Sequence, residues 1–302
     1  MNDVIVTRSL VKRYGRFLAL DGFSLSVPPL SVLGLVGRNG AGKTTWMMSV
    51  AGFVRPTSGE ISILGRGPFD AAVHSGRLTI LPQDSDLPLE GRPRDLLFRY
   101  GRLQGLSAKD ARESADALLE AFNLTGKAKS PVKTLSHGMR KRVMVAQAFI
   151  GSPEVVLLDE PLSGLDPVEA DRMRSFILSR RGKQTIVISS HQLEDIERLC
   201  THVAFVSDGR LERVESLAAL TTASGRIACV LKRRPEDLAA IGGILDDSGV
   251  SWDEARSELV VTFPASVPPE DANAKLLPAL LGCGVVSVIS GRSLEDAYLN
   301  RK

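Results

Sequence analysis

Short apolar runs alternate with polar, glycine-rich turns along most of the chain. Val4 to Val11 and Ser24 to Val27 read as strands, and Val32 to Val36 as a buried strand. Ser58 to Ile63 is a turn and short strand, and Leu78 to Leu81 a buried run that stops at Pro82-Gln83. From Arg94 to about Phe122 the period becomes helical. Leu96, Leu97, Tyr100 and Leu103 share one face there, and Ala115, Leu118, Leu119 and Phe122 form the next stripe. Ser107 followed by Asp110 resembles a helix start. Leu135 to Met139 opens a helix over Arg140 to Ile150, with Ser136 as its N-cap. Val155 to Leu158 is apolar throughout, as in a central parallel strand. Pro167 starts a helix to about Arg180. Thr185 to Ser189 is the next strand, with a helix from Gln192 and a strand over His202 to Val206. Asp208-Gly209 turns that strand into Leu211 to Arg213.

Thr221 to Gly225 is a small-residue linker, so the chain reads as two domains, 1–220 and 221–302. The second alternates strand Ile227 to Leu231, helix Glu236 to Asp247, strand Leu259 to Phe263, helix Asp271 to Leu281, strand Val285 to Ile289 and helix Leu294 to Leu299. That pattern predicts a small α+β domain.

The 302 residues are 43% hydrophobic and 24% charged, with a net charge of +3. Arg140 to Arg142 and Lys232 to Arg234 are short basic clusters, not the concentrated basic face that nucleic acid demands, so no nucleic-acid partner is expected. Cys200, Cys229 and Cys283 lack metal-ligand spacing and number three, which favours a reducing compartment. The beginning of the chain does not read as a signal peptide. The longest weakly charged stretch, Leu276 to Ile289, is interrupted by Pro278, Gly282 and Gly284 and is too short to span a bilayer. A soluble or membrane-peripheral protein is expected.

The chemistry is concentrated at Gly37-Arg38-Asn39-Gly40-Ala41-Gly42-Lys43-Thr44-Thr45, which has the P-loop pattern G-x-x-x-x-G-K-[ST] between a strand and a helix. A polyphosphate needs many N–H donors in a small arc. Gly37, Gly40 and Gly42 let the backbone turn and approach the oxygens, and the helix opening at Lys43 aims its free N–H groups at the anion. The Lys43 ammonium reaches the β- and γ-phosphates, and the Thr44 hydroxyl ligates Mg²⁺. Asp159 and Glu160 close a buried strand, where α/β folds bind ligands.

Taken in order, these motifs resemble the ATPase subunit of ABC transporters over about Val4 to Leu220. Singly, Gln83 reads as a surface amide and His191 as a satisfied loop partner. In family order, Gln83 looks like the Q-loop, Leu135 to Met139 like the signature, and Asp159-Glu160 like Walker B with its catalytic glutamate. Ser163 to Asp166 looks like the D-loop, and His191 like the switch histidine. Tyr14 falls where the family places its adenine-stacking aromatic. The resemblance implies an α/β P-loop NTPase with a mostly parallel core sheet, an antiparallel β subdomain and a helical subdomain at about 90–150. It implies that ATP and Mg²⁺ are bound, with Asp159, Thr44 and Gln83 toward the metal. Glu160 polarises the attacking water, and Gln83 and His191 sense the γ-phosphate. It implies two such subunits head to tail, as homo- or heterodimer, with Ser136 and Gly138 of one completing the site of Lys43 of the other. It further implies a separate membrane permease and a place on the cytoplasmic face of the cell membrane.

Two positions depart from the family signature LSGGQ: His137 stands for its first glycine and Met139 for its glutamine. A slower or partner-tuned site follows, or pairing with a different ATPase subunit that carries a standard signature. Ser293 to Leu299 resembles the ending of bacterial export-type relatives. Two other functions fit parts of the pattern: a soluble ABC-type ATPase acting on ribosomes or DNA, and a module that uses ATP only to dimerise. One cassette without long heptads or a Cys₄ pattern argues against the former, and the presence of Glu160 against the latter.

Overall fold

The computed structural model describes residues 2–218, 225–254, 257–264 and 266–290. The chain divides into two compact units between Val214 and Glu215.

The first unit opens with a long hairpin, β1 (Ile5–Tyr14) and β2 (Phe17–Val27). Gly15, at φ +58°, makes the tight reversal that lets Tyr14 face Phe17. β2 thus begins at Phe17 rather than Ser24. The period-2 signal is lost there because the register of the pair shifts repeatedly between Thr7 and Arg13. β4 (Ser58–Ile63) pairs with the other edge of β1, completing a three-stranded antiparallel sheet.

β3 (Val32–Val36), β5 (Leu78–Leu81), β6 (Val155–Asp159), β7 (Thr185–Ser189), β8 (His202–Ser207) and β9 (Arg210–Ser216) form a second sheet. Its order is β5-β6-β7-β3-β8-β9. Neighbours from β5 to β8 run parallel. Every residue of β3, β6 and β7 is buried, which is why these segments are almost continuously apolar.

Helix α1 (Lys43–Val50) follows β3 and plants Trp46 in the core. Its indole lies 6.0 Å from the Phe23 ring and donates to Thr7 Oγ1 at 3.2 Å, tying α1 to the antiparallel sheet. The short α2 (Ala71–His74) was not anticipated from the sequence. The long helical pattern resolves into α3 (Pro93–Leu103) and α4 (Ala108–Ala121). Gly105, at φ +93°, ends the first, and Ser107 caps the second by accepting from Asp110 N. α5 (His137–Ala148) begins earlier than Arg140 because the Ser136 hydroxyl accepts from Met139 N at 3.2 Å. α6 (Pro167–Arg180) is capped by Asp166, and α7 (Leu193–Leu199) precedes β8.

The second unit runs β10 (Gly225–Leu231), α8 (Leu238–Gly242), β11 (Gly249–Asp253), β12 (Glu258–Phe263), α9 (Pro269–Leu280) and β13 (Val285–Ser290). Its sheet order is β11-β12-β10-β13, with every pair antiparallel. This is a split β-α-β arrangement of ferredoxin-like type. Ile227, Cys229, Leu259, Val261, Leu276 and Leu280 fill its core. The helix expected over Glu236 to Asp247 shrinks to α8, which ends at Gly242-Gly243. β11 is absent from the sequence reading. Only Val250 and Trp252 alternate inward there, too short a pattern to stand out. The expected helix Leu294 to Leu299 lies outside the described residues, as do positions 221–224 of the linker. Among the described residues, no helix is long and apolar enough to cross a membrane.

Candidate functional site

A cleft of about 350 Å³ opens at the carboxyl ends of the parallel strands. Register alone brings its parts together: Asp159 pairs with Ser189 across β6 and β7, and Leu35 of β3 pairs with Ser189. The loop leaving β3 is therefore delivered beside the acidic end of β6. Asn39 to Thr45, Gln83, Asp159 and Glu160 all line the cleft.

The loop's glycines serve different ends. A side chain on Gly37 would sit 2.3 Å from the Val206 carbonyl oxygen, so this glycine allows packing on β8 rather than approach to a ligand. Gly40, at φ +81°, has open space where a Cβ would be. Gly42, at φ +106°, would meet the Ala19 carbonyl at 2.7 Å and heads α1. The first N–H groups of α1 are thus presented at the cleft.

Lys43 is buried, and its ammonium donates to the carbonyls of Gly37 at 2.7 Å and Arg38 at 3.2 Å. Burial pushes its pKa down, against the pull of Glu160 and Asp159. Arg38 does not line the cleft and takes part through that carbonyl.

Asp159 and Glu160 are buried at 2% and 7% exposure. Thr44 Oγ1 donates to Asp159 Oδ2 at 2.6 Å, and Ser189 Oγ donates to Asp159 Oδ1. The same Ser189 oxygen accepts from Glu160 N at 2.9 Å. Glu160 sits in the left-handed region at φ +51°, unusual for a non-glycine residue. Its Oε2 pairs with His191 Nδ1 at 2.8 Å, and His191 is half exposed. One connected network thus runs Thr44–Asp159–Ser189–Glu160–His191. Ser189 was missed in the sequence because a serine ending an apolar strand carries no signal of its own.

Tyr14 stands apart from the lining. It is 48% exposed, with the Lys12 ammonium 4.8 Å from its ring centroid. Its strand partner Phe17, with Ala19, lines the cleft instead. Ser136 and Gly138, at the start of α5, also lie outside the lining. A Cβ on Gly138 would make only ordinary contact, 3.4 Å from Glu169 Cγ, so packing within this chain does not demand glycine there.

The ABC transporter family model matches residues 20–163. A Nod factor export ATP-binding protein I of Burkholderia orbicola (strain AU 1054) is 39% identical over 298 residues, covering 97% of this chain and 94% of that one. The solved ATP-binding subunit of an ABC transporter superposes with a TM-score of 0.65 at 26% identity, covering 72% of this chain and 91% of that one. A dimeric ATP-binding cassette in a post-hydrolysis state with ADP and Pi gives 0.64 at 20% identity, covering 70% and 98%. With the cleft, its strand-end acids and this near full-length likeness in hand, the chain belongs to the ATP-binding proteins of ABC transporters, the energy-coupling ATPase subunits of that family.

Proposed function

We propose that the Thr44–Asp159–Ser189–Glu160–His191 network is the hydrolytic centre and that it works on Mg·ATP held by the P-loop. The observation that carries this reading is the connection itself: one serine hydroxyl holds the Asp159 carboxylate and the Glu160 backbone amide beside the cleft, and His191 holds the Glu160 carboxylate. The backbone N–H groups of Asn39 to Thr45 receive the phosphates, and Lys43 exchanges its carbonyl partners for the β- and γ-oxygens.

The donor set suits Mg²⁺. Thr44 and Asp159 place hard oxygens 2.6 Å apart, and Gln83 lines the same cleft. Thr44 and Asp159 supply two protein oxygens, which suits an ion that completes its shell with substrate phosphates and water. When bound, Mg²⁺ neutralises charge on the transferred phosphoryl group.

Glu160 orients and deprotonates the water through Oε1, since Oε2 is held by His191. The water oxygen bonds to the γ-phosphorus, the bond to the β–γ bridging oxygen breaks, and ADP and phosphate leave. His191 fixes Glu160 until the γ-phosphate arrives. Ser136 and Gly138 face a second ATPase subunit, head to tail, where their exposed helix start meets the partner's nucleotide. Tyr14 and Phe17, on facing strand ends, receive the adenine. A membrane permease supplies the pathway and holds this subunit at the cytoplasmic face. The Burkholderia relative's name supports export as the direction.

The test is steady-state ATP hydrolysis with parallel binding measurements. Glu160→Gln keeps ATP affinity and loses turnover by roughly 10²- to 10⁴-fold. Lys43→Ala loses both. Equal turnover in wild type and Glu160→Gln removes the base assignment.

A further inference from the structure

The Glu160 carboxylate is held by His191 Nδ1 at 2.8 Å, yet the imidazole that holds it is half exposed. A ring with so much open surface has few neighbours to fix it, so the backbone on either side sets its place. Upstream, Ser189 ends β7 inside the network. Downstream, Ser190 is buried and its Oγ accepts from Gln192 N at 3.0 Å, so the chain passes from His191 into α7 through a tight turn. Where α7 sits therefore decides where the imidazole sits.

α7 has seven residues, too few to hold a direction by its own hydrogen bonds. Two contacts seat it. Ile196 and Cys200 press on β3, where a side chain on Gly34 would fall 2.6 Å from Ile196 Cγ2 and 3.0 Å from Cys200 Sγ. In the first turn, Asp195 Oδ1 accepts from Arg174 Nε of α6 at 2.8 Å. Asp195 is buried, and its Oδ2 has no hydrogen-bond partner among the described residues. The other acid beside Arg174, Asp171, lies 3.9 Å away with an exposed side chain.

A buried ion pair with one carboxylate oxygen left dry gains little net stability over apolar packing of the same volume. What this pair supplies is direction: a guanidinium on the 14-residue α6 fixes one atom of α7 a single helical turn beyond His191. α6 is itself anchored near its start, where Glu169 Oε2 lies 2.8 Å from Nε of the buried Arg142 of α5. Neither Arg174 nor Asp195 lines the cleft.

We propose that Arg174 is a positioning residue for ATP hydrolysis: through Asp195 it sets the start of α7, and with it the His191 imidazole against Glu160, without touching ATP. This rests on His191 serving the hydrolytic centre.

The experiment is a double-mutant cycle on the full chain with Mg·ATP, comparing wild type, Arg174→Met, Arg174→Lys, His191→Ala and the Arg174→Met/His191→Ala pair, each below its melting transition. Arg174→Met is expected to lower kcat roughly 10- to 100-fold, as when a reacting group is misplaced by about 1 Å. KM and the calorimetric Kd for ATP stay within about twofold, because uniform binding is untouched. Arg174→Lys restores most of kcat, since it returns the charge to Asp195. In the His191→Ala background, Arg174→Met changes residual turnover less than about twofold, since the two act as one unit. A kcat within twofold of wild type for Arg174→Met, or a loss that adds fully to that of His191→Ala, overturns the proposal while leaving His191 in the hydrolytic centre. Wild-type turnover in His191→Ala overturns the role of His191 and the proposal with it. Arg174→Gln replaces Arg174→Met if the latter does not fold. Failure of both neutral variants to fold makes Arg174 structural and also overturns the proposal.

Discussion

Ser189→Ala tests whether the two acids are held by one hydroxyl. Ser189 is fully buried, donates to Asp159 Oδ1 and accepts from Glu160 N at 2.9 Å. Removing Oγ costs Asp159 a charge-assisted bond, worth about 1.5–3 kcal/mol, and strands the Glu160 amide, worth about 1–3 kcal/mol. Asp159 keeps the Thr44 hydroxyl on its other oxygen, so partial relaxation is available. A loss near the lower sum, about 2–4 kcal/mol, is expected. Glu160 also needs the amide bond to stay at φ +51°, a conformation costing about 1–2 kcal/mol for an ordinary residue. Its carboxylate should therefore wander, and turnover should fall by roughly tenfold or more. The assay is urea denaturation followed by Trp46 fluorescence in a Trp252→Phe background. Trp46 and Trp252 are the two tryptophans, one in each unit, so this isolates the first unit. Stability within about 0.5 kcal/mol of the parent, with unchanged kcat, would refute the idea that this hydroxyl organises the site.

Gly37→Ala and Gly40→Ala should separate packing from loop conformation. The first drives a methyl to 2.3 Å from a backbone oxygen and should lower thermal stability by more than about 2 kcal/mol, whereas the second meets open space and pays only for φ +81°, about 1 kcal/mol. Differential scanning fluorimetry that ranks them the other way would contradict this. Burial pushes the thiols of Cys200 and Cys229 up, and Cys283 is partly accessible. Iodoacetamide at pH 8 should alkylate Cys283 first and the other two only after unfolding, as read by peptide mass spectrometry. Asp195 is 1% exposed and bonds Arg174 Nε at 2.8 Å, joining α7 to α6. Asp195→Asn should cost about 1–3 kcal/mol by removing the buried charge beside Arg174, which keeps only the more distant Asp171 at 3.9 Å, and a melting temperature equal to wild type would argue against that.

The helical region shows where local pattern mostly suffices, although Leu103, expected on the buried face, ends α3 exposed. Leu96, Leu97, Leu118 and Leu119 mark buried stripes, and Ser107 caps α4 through a contact three residues away. The P-loop was equally legible because its glycines, lysine and threonine are consecutive and their geometry is local. β2 and β11 were not, since a bulged or very short strand is defined by its partner's register rather than by its own period.

Alone, the chain determined its sheet-and-helix alphabet, the loop that precedes α1 and the identity of the two acids, because each rests on residues close in sequence. Only folding decided that Ser189 would bridge those acids, that Phe17 rather than Tyr14 would line the cleft, and that His191 would reach the Glu160 carboxylate. These are contacts between segments far apart along the chain. They depend on strand register, which is set by the closing of one shared core.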